Sequence, residues 1–206
     1  RVGDLVSYDT EPVELSGDAL AGHSLDNRAS VAAVTLALEE LRKMRHAWDV
    51  VAVATVQEEE TYGGAITSPF SIRPDLAVVI DVTFAKGPGA SDWRTSPMGK
   101  GVTFDYGPNV HPKLFDAFKA QAEKLEMSIN IAVQSTFWGT DAAAVQAVAE
   151  GIPTMVLDIP LRYMHTPVEV ISYKDVTRTG RLMAAFIAGL QADFMQTGMR
   201  WEEDHD

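Results

Sequence analysis

A handful of side chains in this sequence have the types and spacing to hold or use a cation. Asp26 stands just ahead of an apolar-periodic stretch, and Glu58, Glu59 and Glu60 follow a run of β-branched residues. Asp81 closes the segment Leu76-Ala77-Val78-Val79-Ile80, and His165 follows Leu161-Arg162-Tyr163-Met164. Each has an ordinary reading alone: an Asp before a helix is an N-cap, a Glu triplet is a solvated turn, and an Asp at a strand end forms a turn. Together they read differently. Apolar strands deliver several carboxylates to one edge, where their repulsion is costly unless a cation compensates. An imidazole beside carboxylates is a donor set that suits zinc, cobalt or manganese. Adjacent Glu58 and Glu59 on extended backbone point to opposite sides, which suits one base and one ligand better than a sugar-cleaving pair.

The other candidates are weaker. His46 and His111 lie in polar helix-end contexts, His205 lies in the acidic tail, and His23 stands only three residues before Asp26. Lys86-Gly87-Pro88-Gly89 lacks the Lys-Ser/Thr and the following helix of a phosphate loop, and no Gly-x-Ser-x-Gly elbow occurs. With no cysteine, thiolate nucleophiles, thiolate metal sites and disulfides are all excluded, and the composition leans to a cytoplasmic setting.

The elements that must position these groups alternate between helical and strand patterns. Val31, Val34, Leu38 and Leu41 predict an amphipathic helix over 28–45. Asp49 to Gln57 reads as a central strand covered on both faces, and Leu76 to Asp81 as a second. A helix is expected over 112–126, a strand over Ile129–Val133, a helix from Thr140 to Glu150, and a strand over Thr154–Leu157. A last helix begins at Ser172, with Asp175 in the capping-box position. The pattern is that of an α/β fold with a mixed, mostly parallel central sheet and helices on both faces. In such a sheet, reactive groups collect at the carboxyl ends of the strands.

The 206 residues suffice for one core, and 46% hydrophobic residues argue against disorder. Seventeen Lys and Arg against 29 Asp and Glu leave a net charge of −12, which excludes a nucleic-acid or anionic-membrane binder. No apolar run is long enough to cross a bilayer. The chain opens on Arg1, and Val2 to Tyr8 is strand-like with no helix until after Asp26. Residues 1–20 are therefore expected to be the end of a small β module, and residues 193–206 an acidic tail.

Five segments occur in one order: Ser24-Leu25-Asp26-Asn27-Arg28, Thr55-Val56-Gln57-Glu58-Glu59, Val79-Ile80-Asp81-Val82-Thr83, Gly139-Thr140-Asp141-Ala142 and Pro160-Leu161-Arg162-Tyr163-Met164-His165-Thr166-Pro167-Val168-Glu169. The ordered set resembles the deblocking, glutamyl and tetrahedral aminopeptidases, co-catalytic metallopeptidases sometimes labelled endoglucanases. The resemblance implies two divalent ions, zinc or cobalt with manganese possible. It gives Asp26 as the bridging carboxylate, Glu59 and His165 as further ligands of one ion, and Asp81 as a ligand of the other. It makes Glu58 the general base, and Gly139, Thr140 and Asp141 a border of the substrate pocket. It implies peptide substrates, a zinc-peptidase-like fold, and a homo-oligomer in the intact protein. It also implies that residues 21–192 are a catalytic domain incomplete at its start. One departure stands out: the family's upstream His-x-Asp ligand has no counterpart before Asp26, so one metal site is expected to be weakened. Two other readings remain open at this stage: a non-catalytic relative serving as an assembly subunit, and a metal-dependent hydrolase of N-acyl amino acids.

Overall fold

The computed structural model describes residues 1–136 and 139–200. Its seven strands are β1 (Val13–Leu15), β2 (Ala19–Gly22), β3 (Ala77–Phe84), β4 (Val102–Tyr106), β5 (Ile129–Val133), β6 (Thr154–Arg162) and β7 (Glu169–Ser172). Its helices are α1 (Leu25–Leu41), α2 (Gly63–Ile72), α3 (Pro112–Lys124), α4 (Asp141–Val145), α5 (Tyr173–Gly189) and α6 (Phe194–Thr197).

Strand β6 organises the sheet. Eight of its nine residues are buried, β3 runs parallel along one edge, and β4 and β7 share the other edge. The order β1-β2-β7-β6-β4-β5, with β3 on the remaining side of β6, gives one mixed sheet. Parallel pairing is confined to β3–β6 and β4–β5; the other pairs are antiparallel, and of these only β1–β2 and β6–β7 join strands consecutive in sequence. The pleat of β3 separates the two faces. Val78, Ile80 and Val82 pack with α1 and α5, whereas Ala77 and Val79 pack with α2 and α4. The small face of α1, Ala29, Ala33 and Ala37, lets α5 come close. At Gly180 of α5 an added Cβ would lie 2.7 Å from the Ala33 carbonyl oxygen, so only glycine fits there.

Several local expectations need correction. The run Asp49 to Gln57 does not form a covered central strand. Asp49 to Thr55 continue without turn or bend and make no backbone–backbone hydrogen bond among the described residues. Val51, Val53 and Val56 are 61%, 42% and 65% exposed. High β-propensity is present, but no neighbouring strand engages it, and the edge of β3 away from β6 carries no strand among the described residues. Val2 to Tyr8 likewise forms no strand. The hairpin β1–β2 instead joins the main sheet through β7.

Helix α1 spans Leu25–Leu41, but Asp26 and Asn27 interrupt its first turn, so its regular part starts at Arg28 as expected and ends short of the expected 45. Helix α4 stops at Val145, and the chain then turns through Ala149 in the left-handed region, where a helix to Glu150 was expected. Helix α5 is capped by Ser172, whose hydroxyl accepts from the Lys174 N–H at 3.2 Å. Asp175 does not close a capping box: its buried carboxylate accepts from the Gly99 and Gly101 N–H groups. Phe194 of α6 packs edge-on against Trp48 and Phe186. Trp201 to Asp206, with His205, lie outside the described residues.

Candidate metal centre

Asp26 enters from the first turn of α1, where it and Asn27 depart from helical geometry. It is not the N-cap; that position is Ser24. The packing of α1 on α5 and β3 fixes this turn over the carboxyl edge of the sheet. His165 stands in the turn between β6 and β7, with φ of +59°. Glu59 follows the unpaired Asp49–Gln57 run. These three approaches converge. His165 Nε2 lies 3.2 Å from Asp26 Oδ2 and 3.3 Å from Glu59 Oε1. One ligand atom from each of the three lies within 4.8 Å of the others, and among the described residues this is the only such group of acids and histidines.

Asp81 does not join that trio. It sits on β3, buried, and its Oδ1 accepts from Asn27 Nδ2 at 2.8 Å and from the Val82 N–H at 2.8 Å. Asn27 also reaches the Ile80 carbonyl at 3.4 Å, so the residue after Asp26 ties the head of α1 to β3. His23 contacts the neighbouring Ser24 hydroxyl at 3.1 Å. His46 Nδ1 contacts the Trp48 carbonyl oxygen at 2.8 Å. The loop that carries Gly139, Thr140 and Asp141 borders the same region. Thr140 caps α4 by accepting from the Ala142 N–H, and Asp141 accepts from the Thr55 hydroxyl. A Cβ on Gly139 would stand 3.3 Å from the Tyr62 hydroxyl.

The electrostatics record an uncompensated concentration of negative charge. Burial, then Glu59, Asp141 and Asp26, raise the Glu58 carboxyl to about 7, with His165 pulling the other way. Burial, then Glu59 and Glu169, raise Asp26 to about 6, opposed by His165. Burial raises Asp81 well above the usual carboxylate range, and Glu58, Asp26 and Asp141 add to it. Burial first, and then Glu58, also raise the Tyr62 hydroxyl. A group of carboxylates that repel one another and desolvate one another is a site for which a divalent cation supplies the missing positive charge. The donor set of carboxylate oxygens and one imidazole fits zinc, cobalt or manganese. Beneath it, Asp158 stands opposite Asp81 in the β3–β6 register and is wholly buried. Burial, then Asp105 and Asp81, push its carboxyl well up, which favours the protonated form.

Sequence reasoning gave no role to Asn27, Tyr62 or Glu169. Asn27 and Glu169 lie inside the ordered segments, but nothing in their spacing announces what they bond. Tyr62 falls in a Gly-rich stretch whose helix, α2, begins only after it.

Solved structures give the class. An aminopeptidase from the archaeon Desulfurococcus kamchatkensis matches with a TM-score of 0.83 at 31% identity, over 95% of this chain and 56% of that one. The TET1 peptidase of Pyrococcus horikoshii, described as able to assemble into a tetrahedron or a large octahedral shell, matches with a TM-score of 0.75 at 27% identity. That match covers 89% of this chain and 54% of that one. The fold is therefore that of these aminopeptidases. The lysyl aminopeptidase of Pyrococcus furiosus is 36% identical over 191 residues, 93% of this chain and 55% of its own length. The M42 glutamyl aminopeptidase family signature matches residues 1–182, and the chain belongs to that family. It spans about half the length of the curated relatives it matches.

Proposed function

We propose that this chain carries the cation-holding part of a metal-dependent aminopeptidase, which removes the N-terminal residue of a peptide. The observation that carries the reading is the meeting of Asp26, Glu59 and His165 from three separate elements. Asp26, Glu59 and His165 would hold one divalent ion, and Asp26 with Asp81 a second. When bound, such ions supply Lewis acidity that polarises a carbonyl and acidifies water. Asp26 and Asp81 are the donors that the described residues offer to this second ion, where three or four protein ligands are usual.

Glu58 acts as the general base. Burial, and then its acidic neighbours, keep the proton affinity of its carboxyl high, which is what a proton carrier near neutrality needs. It takes a proton from the attacking water and delivers it to the departing amine. The water oxygen adds to the carbonyl carbon, the transferred proton makes the nitrogen a leaving group, and the carbon–nitrogen bond then breaks, leaving a free amino acid and a peptide one residue shorter. Tyr62 and the Gly139–Asp141 loop stand on the Glu58 side and border the space for substrate. The relatives that assemble into closed particles support a homo-oligomer for the intact protein, and the cysteine-free composition supports a cytoplasmic setting. Among the described residues no helix is long and apolar enough to cross a membrane.

The test uses full-length protein, amino-acid anilides and Glu58→Gln. Turnover of anilides with a free α-amino group, reduced by about 100-fold or more in the variant, is expected. Turnover unchanged by the substitution would remove Glu58 from the role. Turnover confined to N-blocked substrates would turn the assignment to an N-acyl amino acid hydrolase, and no turnover with either would favour an assembly subunit.

A further inference from the structure

We propose that Glu169 is a positioning residue of this site: its one buried carboxylate takes the backbone N–H groups of both Asp26 and His165, and so sets the spacing of two cation-holding side chains. This rests on the metal reading above.

Glu169 Oε2 accepts from the Asp26 N–H at 3.0 Å, and Oε1 accepts from the His165 N–H at 3.0 Å. The two donors are far apart in sequence, and Glu169 is 2% exposed. Its place in the sheet explains how one side chain reaches both. Glu169 opens β7, opposite Gly22 in the register with β2, and β2 leads directly into the Ser24–Asp26 turn. On the other side, β7 pairs with the end of β6 through Leu161–Ile171 and Arg162–Val170, and the turn between them carries His165.

A carboxylate is suited to this task because it has two acceptor oxygens and no donor. Glutamine would keep one acceptor and set an amide NH₂ against the other N–H. Burying the charge is costly, and among the described residues Glu169 forms no ion pair that would offset it. Charge-assisted bonds from two backbone amides do so instead. One of those amides belongs to His165, a non-glycine residue in the left-handed backbone region, which needs outside bonds to hold it. A plain hairpin stabiliser would not need a buried charge aimed at two ligand-bearing turns. Groups that orient metal ligands from behind typically carry 10–100-fold in metal affinity.

The experiment compares full-length wild type with Glu169→Gln, using Co²⁺ alone as the probe. Calorimetric affinity, the Co²⁺ absorption bands and the thermal midpoint of the metal-free protein are read on the same samples. The expected result is roughly 10–100-fold weaker Co²⁺ binding and altered Co²⁺ bands, with far less change in the metal-free midpoint. Equal affinity and identical bands in the variant would overturn the positioning role while leaving the metal site standing. Wild type that binds no Co²⁺ would overturn the metal reading and this inference with it. If Glu169→Gln does not fold, amide exchange on wild type decides. Slow exchange at the Asp26 and His165 N–H groups, slower still with Co²⁺, supports the role, and fast exchange at either overturns it.

Discussion

Strand β6 and the Asp49–Gln57 run are built from nearly the same kinds of residues, yet they have opposite fates. In β6, Met155, Val156, Leu157, Ile159 and Leu161 are wholly buried between strands on both edges and helices on both faces. In the other run, Val51, Val53 and Val56 stand largely exposed with no ladder. Composition sets the capacity to be a strand; neighbours decide whether that capacity is used. The candidate site straddles the two regions. Asp26, Asp81 and His165 are pinned by Asn27, the Val82 N–H and Glu169, whereas Glu58 and Glu59 hang from the end of the unpaired run.

Amide exchange measures that contrast most strongly. Amides of Met155 to Ile159 and of Leu161 should exchange roughly a thousandfold or more slowly than those of Val51 to Thr55 in the 206-residue chain. Equal protection would mean that the run has a strand partner. Next in size is the cost of truncating the buried strand. Leu157→Ala should lower stability by about 2–5 kcal/mol, read by denaturant titration, because the cavity it leaves is closed on every side.

A smaller effect comes from Asp158. In the unfolded chain its carboxyl ionises near ~3.9, whereas burial and the neighbouring Asp105 and Asp81 keep it protonated in the fold. A raised folded value means that the wild type loses stability as pH climbs above the unfolded value. Asp158→Asn cannot ionise. It should therefore be more stable than wild type at pH 7, on the order of 1–3 kcal/mol, with the gain disappearing near pH 4. A gain of equal size at both pH values would show that its proton is not involved. Smallest of all, Val53→Ala should change stability by less than about 0.5 kcal/mol; a cost like that of Leu157→Ala would erase the difference between the two regions.

Much of this was legible in the sequence. The helix opening at Ser172 and the apolar strand starting at Thr154 both form where the sequence put them, because in both the burying neighbours are close at hand. Asp26, Glu59 and His165 were legible through their order, and they do converge. Strand β4 was not: Val102-Thr103-Phe104-Asp105-Tyr106 alternates like a half-exposed strand, yet Thr103 and Asp105 are buried against β6. Helix α2 was hidden by Gly63, Gly64 and Pro69, residues that normally end helices. Glu169 was hidden for a different reason. A buried acid next to a strand has no periodic signature, and its two partners are set only when β2, β6 and β7 come together.

The most direct measurement is a calorimetric titration of Co²⁺ into metal-free full-length protein, wild type against His165→Ala. Wild type should bind tightly, and the variant should lose more than about a hundredfold in affinity, beyond what an outer-shell change costs. Binding of equal strength in the two proteins, or none in wild type, would contradict a metal centre built on Asp26, Glu59 and His165.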